Sequence, residues 1–179
     1  NSITSEMRQM LAHKAFRHVS HYDSNVASYL SQNKDQKLDS ILNFEYKKIF
    51  DLRYGENPHQ QGAAYSFDSD SKGVLQADLL HGKELSFNNL LDADAAWRIV
   101  TEFDDQTVAV IKHSNPCGLA SHKDQQEAYK RAFEGDSVSA YGGIVGFNRP
   151  VTLETVKAMK GVFYEVIVAP DYVPDALEL

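Results

Sequence analysis

An apolar run in the middle of the chain, "TVAVIKH" (107–113), ends on Lys112 and His113 and leads into "SNPCG" (114–118). Histidine titrates near neutrality and can take or give a proton. Lysine supplies a fixed positive charge, or a proton of its own once burial lowers its pKa. At the carboxyl end of a strand, such a pair stands where ligands gather in open α/β sheets. A strand-end histidine beside a lysine that snorkels to water has the same residue types, so residue types alone leave both readings open. Upstream, "RYGENPHQ" (53–60) offers Arg53, whose fork can bind phosphate, and Tyr54, which can stack on a planar base or donate a hydrogen bond. A solvated loop is the other reading of that stretch. Downstream, "SAYGGIVG" (139–146) sets Gly142 and Gly143 in a β-like run, as at a bulge or where a backbone approaches a ligand. Its spacing fits neither the dinucleotide fingerprint nor the P-loop.

Other candidates carry less chemistry. "NPCG" (115–118) reads as an Asn-Pro turn that opens the following helix, with backbone N–H groups available to an oxyanion or simply turning the chain. Cys117 reads as a nucleophile or as a small buried residue, and no base can be assigned to it. His13, His18 and His21 share one helical stretch, with the last two at i and i+3. Without a locatable carboxylate they read as a solvated face rather than a metal site.

Composition narrows the class. Of 179 residues, 42% are hydrophobic and 24% charged, which is ordinary for a globular chain. Eighteen basic against 25 acidic residues give a net charge of −7, which argues against a nucleic-acid binder while leaving room for a local basic pocket. The longest apolar runs are too short to span a bilayer, and "NSITSEMRQML" lacks the regions of a signal peptide. A single cysteine permits neither an intramolecular disulfide nor a cysteine zinc cluster. The expected location is a reducing compartment, the cytoplasm. A start without Met and an end at "DALEL" suggest a piece of a longer protein.

The elements that must position these residues follow from pattern. Met7, Met10, Leu11, Ala15 and Val19 predict an amphipathic helix over 5–19. A second helix is predicted from Asp23 as N-cap, and the polar run "LSQNKDQKLDS" (30–40) is the expected domain boundary. Phe44 and Tyr46 alternate as in a half-buried strand. Helices are predicted over 89–103, 123–134 and 152–161, with strands at 107–113, 139–148 and 165–169, and a final helix begins after Pro174. That alternation is an α/β domain with a sheet between helices.

Taken together and in order, "LRYGENPHQ" (52–60), "LSFNNLLDADAAW" (85–97), "IKHSNPCG" (111–118) and "SAYGGIVGFN" (139–148) resemble the bifunctional purine-biosynthesis family. That family joins 5-aminoimidazole-4-carboxamide ribonucleotide (AICAR) formyltransferase to IMP cyclohydrolase. "KAFRHVSHYDSNVASYL" (14–30) is similar to its cyclohydrolase tail. The resemblance implies residues 1–40 as a short helical tail plus linker, and residues 41–179 as the first part of the formyltransferase domain. The implied fold is a cytidine-deaminase-like mixed sheet covered by helices. The implied reaction moves a formyl group from 10-formyltetrahydrofolate to the 5-amino group of AICAR. By the same resemblance, Lys112 and His113 match a catalytic pair. Arg53, Tyr54, Gly142 and, through "VIVAP" (166–170), Glu165 match nucleotide contacts. The family also implies a cytoplasmic homodimer with its active site between subunits, and no metal, nucleic acid or membrane. "PCGLA" holds only one of the two cysteines of a zinc deaminase, which disfavours that chemistry. By the same resemblance, the front of the cyclohydrolase domain and the later folate-contacting part of the formyltransferase are expected to lie outside these residues. A non-catalytic nucleotide-binding or dimerisation fragment is therefore the alternative to an enzyme.

Overall fold

The computed structural model describes residues 3–31, 41–67 and 73–179. It divides into two compact units, Asn1–Lys47 and Lys48–Leu179. Most of the expected boundary, residues 32–40, lies outside the described residues.

The first unit holds one helix, α1 (Ser5–Leu30), where two were expected. Thr4 caps it by accepting the Met7 amide at 3.2 Å. Asp23 does not start a second helix, because no Gly or Pro interrupts the run and continuing the ladder needs no new nucleus. No residue of α1 is buried, and Met7, Met10, Phe16 and Val19 are exposed. The strand expected at Phe44 and Tyr46 begins only at Lys47, as β1 (Lys47–Asp51).

In the second unit β1 pairs with β2 (Ala63–Ser66) in a two-stranded sheet. A 3₁₀ turn (Val74–Gln76) precedes α2 (Phe87–Thr101), whose start is a reciprocal cap between Ser86 and Asn89. Then follow β3 (Thr107–Lys112), β4 (Asn115–Ser121), α3 (Gln125–Gly135), α4 (Ser137–Ala140), β5 (Gly143–Phe147), α5 (Leu153–Met159), β6 (Tyr164–Val168) and α6 (Pro174–Leu177). The main sheet runs β4-β3-β5-β6, with β3 antiparallel to both neighbours and β5 parallel to β6. This is the α/β class expected, a mixed sheet covered by helices and preceded by an N-terminal helix.

Strand periodicity divides the core in two. Val108, Val110, Val145 and Phe147 face one side with Ala128, Tyr129 and Ala132 of α3. Ala109, Ile111 and Ile144 face the other with Ala93, Ala96 and Val100 of α2. A strand covered on both faces reads as continuously apolar, which is why "TVAVI" carries no alternation. Asn148, buried, joins the layers. Its amide donates to the carbonyls of Val100, Phe103 and Asp105, and its Oδ1 accepts the Thr107 amide at 2.8 Å. None of the described buried side-chain polar atoms lacks a partner.

Two further expectations are corrected. "NPCG" neither turns nor opens a helix; it is the first half of β4, paired to β3 from Lys112↔Asn115 onward. Pro116 is tolerated there because β4 is the sheet edge, where a missing N–H breaks no inner ladder. The strand expected over 139–148 is shorter, since Asp136 accepts the Ser139 amide at 3.0 Å and turns 137–140 into α4.

Candidate functional site

Lys112 and His113 close the hairpin between β3 and β4, whose loop is only His113 and Ser114. Both have positive φ, 53° and 61°, the requirement of the type I′ turn that suits twisted strands. Asn-Gly is the usual sequence there, and a left-handed L-residue costs about 1–2 kcal/mol. The Asp92 carboxylate on α2 offsets that cost. Its Oδ2 accepts the His113 amide at 3.0 Å, and its Oδ1 accepts the Ser114 amide at 2.7 Å and the Ser114 hydroxyl at 3.3 Å. Asn115 Nδ2 donates to the His113 carbonyl at 2.8 Å. The backbone at the tip is thus held, while the His113 imidazole is exposed and makes no hydrogen bond among the described residues.

Lys112 is half-buried, and its Nζ donates to the Tyr141 carbonyl at 2.8 Å. The next residue is Gly142, with φ +71° and a Cβ position that points into open space. Its amide donates to the Phe163 carbonyl at 2.8 Å. Glycine is required here by the backbone angle rather than by crowding. Because β5 runs opposite to β3, its N-terminal end lies beside the carboxyl end of β3, and β6 starts on the same rim. The site therefore combines one carboxyl end with two amino ends, which a mixed sheet permits and a parallel one does not.

Glu165 reaches this rim through a bulge. Gly143 pairs with Tyr164 and Ile144 with Val166, leaving Glu165 as the extra residue of β6. Such an insertion re-aims a side chain. Asn89 Nδ2 donates to Glu165 Oε2 at 3.5 Å, while Asn89 Oδ1 accepts from the Arg53 guanidinium at 3.4 Å and from the Ser86 amide at 3.1 Å. Arg53 lies over the Tyr54 ring at 4.9 Å and donates to its hydroxyl at 3.2 Å. The 53–56 loop is tied to α2 by the Phe87 amide on the Tyr54 carbonyl and by Asn88 Nδ2 on the Glu56 carbonyl.

Arg53, Tyr54 and Glu165 are thus joined through Asn89, and Lys112 and Gly142 through Tyr141. His113 joins neither chain by its side chain; Asp92, one turn beyond Asn89, anchors it to the same helix. Asn89 and Asp92 were not singled out from residue types. Nothing in the sequence marks them out, since Asn88 and Asp94 are polar neighbours in the same helix.

The remaining candidates separate from this rim. Cys117 is the extra residue of the β4 bulge and packs against the α3-side core. Burial pushes its thiol up, with the Asp136 carboxylate adding to the rise, so it is no ready thiolate. Tyr164, beside Glu165, is also pushed up by burial and by its 2.8 Å hydrogen bond with Tyr129. His21 pairs with Glu45 and with Asn25 Nδ2, and His13 and His18 lie exposed on α1. No group of three His, Cys, Asp or Glu side chains among the described residues is arranged to hold a metal.

The rim sets a guanidinium and a phenol (Arg53, Tyr54), groups able to hold an anion or stack on a planar base, on the same helix scaffold as an ammonium and an imidazole (Lys112, His113), groups able to move a proton. The sequence model of the AICARFT/IMPCHase bienzyme matches residues 1–179, the whole chain. The chain belongs to this bienzyme family. Among curated relatives it is 50% identical, over all of its length, to the bifunctional purine biosynthesis protein of Dictyostelium discoideum. It is 46% identical over 97% of its length to that of Persephonella marina, and 43% identical over 99% to that of Leuconostoc mesenteroides. The chain spans about a third of the length of these relatives, 37%, 34% and 34% respectively. The bienzyme family is therefore represented here by one stretch that contains the whole β3–β6 rim.

Proposed function

We propose that this chain carries the nucleotide side and the proton-transfer pair of an AICAR formyltransferase, acting in purine biosynthesis with 10-formyltetrahydrofolate as formyl donor. In this reading residues 1–40 are the cyclohydrolase tail and residues 41–179 open the formyltransferase domain. The observation that carries it is the convergence on one rim of Arg53, Tyr54, Lys112, His113, Gly142 and Glu165, contributed by four separated segments.

The 5-amino nitrogen of AICAR is a weak nucleophile, because its lone pair is drawn toward the carboxamide. In the reaction that nitrogen attacks the formyl carbon, and a C–N bond forms as the carbonyl electrons move to oxygen. His113 takes the amine proton. The Lys112 ammonium stabilises the developing oxyanion and supplies charge and proton balance at the leaving folate nitrogen. Collapse breaks the bond to that nitrogen, which takes up a proton and departs as tetrahydrofolate. Arg53 and Tyr54 hold the nucleotide so that the amine meets the formyl group in a reactive geometry. Gly142 lets the backbone approach the nucleotide, and Glu165 accepts from it. The protein acts as a homodimer in the cytoplasm, and no metal enters these steps.

A second reading rests on the open geometry of the rim in a chain a third as long as its relatives. Here the chain binds nucleotide, or dimerises, without turnover. Titration calorimetry of the 179-residue chain with AICAR, beside a formyl-transfer assay, separates the two. The enzyme and the nucleotide-binding fragment both predict heat of binding that is lost in Arg53→Ala, dimerisation alone predicts none, and turnover marks the enzyme. Absence of any AICAR binding contradicts the assignment of the nucleotide side.

A further inference from the structure

The hairpin tip is held by a residue to which the proposed reaction gives no role, Asp92. His113 and Ser114 are consecutive non-glycine residues at positive φ, in a turn class that glycine and asparagine dominate. Their two amides point the same way and converge on the two oxygens of Asp92, at 3.0 and 2.7 Å. Successive N–H groups in such a turn form a nest that favours an anion, here supplied by the protein's own carboxylate. Asp92 is half-buried on α2 between exposed Leu91 and buried Ala93, so its Cα is held beside the core while its carboxylate reaches the hairpin. Lys112 is fixed separately, through Tyr141. The direction of the imidazole follows from the backbone angle at His113, which the Asp92 carboxylate holds through both turn amides, with Asn115 Nδ2 on the His113 carbonyl beside it.

We infer that Asp92 is a positioning residue for His113: its carboxylate enforces the left-handed turn that aims the imidazole at the reacting amine. This rests on the proposed formyl transfer. It predicts that the negative charge and both oxygens are needed. In Asp92→Asn one oxygen becomes an NH₂ that faces an amide N–H, and the nest loses its charge. Ser114→Gly compensates for that loss, because glycine adopts the left-handed conformation without a carboxylate to hold it.

The test uses the full-length bifunctional protein and steady-state formyl transfer. Asp92→Asn is expected to lower kcat about 10- to 100-fold, the scale of a misplacement on the order of 1 Å. Its KM for AICAR should stay within about threefold, because the Arg53 edge is untouched. The Asp92→Asn/Ser114→Gly double variant is expected to recover at least about tenfold in kcat. A folded Asp92→Asn enzyme with wild-type kcat overturns the inference. So does a raised AICAR KM at unchanged kcat, or a double variant that regains thermal stability without regaining kcat. Should Asp92→Asn not fold, Asp92→Glu decides: it keeps the charge but shifts the carboxylate by one methylene, and wild-type kcat in it overturns the inference. His113→Ala, measured in parallel, separates the two levels. If His113→Ala retains turnover, the formyl-transfer reading itself fails; if it loses turnover while Asp92→Asn does not, only the positioning role fails.

Discussion

The two strand connections that build the rim solve the same problem with different residues. The β3–β4 hairpin and the β5–β6 edge each carry a bulge, at Cys117 and Glu165, and each carries positive φ at its rim end. At β5 the left-handed residue is Gly142, which adopts that angle freely, and a backbone bond to Phe163 completes it. At the hairpin the left-handed residues are His113 and Ser114, and a carboxylate from another element must hold them. Where the side chain is dispensable, glycine takes the position. Where the side chain carries the proposed chemistry, strain is accepted and offset from outside, as functional sites tend to do.

Substitutions at glycine break or sharpen this contrast. The largest effect on stability is expected at Gly118, which is not a conformational glycine at all. A Cβ there would lie 1.8 Å from the Ala132 carbonyl oxygen, so Gly118→Ala must push β4 off α3. A loss of about 3 kcal/mol, at the upper end of overpacking, should appear in denaturant unfolding. Gly142→Ala has open space around its Cβ and suffers only the backbone angle. Its cost should be about 1–2 kcal/mol, and no larger if crowding is truly absent. The smallest effect has the opposite sign. Ser114→Gly relieves about 1–2 kcal/mol of left-handed strain but adds about 0.5–1 kcal/mol of chain freedom. A net gain of about 0.5 kcal/mol in the same unfolding assay would show that the hairpin is strained by residue type. A loss at that position would mean that the hydroxyl contact to Asp92 outweighs the strain.

How much of this was legible in the sequence follows from the same contrast. Helices α2 and α3 could be read because their apolar residues repeat with the period of a helix, and strands β3 and β6 because each is a short β-branched apolar run. Gly142 was legible as a special backbone position because glycine advertises one. The hairpin was not, since His113-Ser114 contains neither glycine nor asparagine, while Asn115-Pro116 beside it looked like the turn. Pro116 instead sits at an edge strand, where position in the sheet overrides local preference. Asp23 misled in the same way: a good cap residue ends a helix only when something stops the ladder, and nothing in α1 does. Residue types raise Lys112, His113, Arg53, Tyr54 and Gly142 as candidates; the resemblance supplies their roles and adds Glu165. Residue types left Lys112 and His113 open between chemistry and a plain strand end, and no pattern indicated that Asn89 and Asp92 would tie the loop, the hairpin and β6 to one helix.

The central claim is that the Lys112–His113 tip moves the protons of formyl transfer. The most direct test is to measure formyl transfer and IMP cyclohydrolase activity on the same preparations of full-length Lys112→Ala and His113→Ala proteins. A fall in formyl transfer of about 10²- to 10⁴-fold in each, the range for losing a positioned acid–base group, is predicted, with the cyclohydrolase rate kept. Near-normal formyl transfer in both variants would contradict the account.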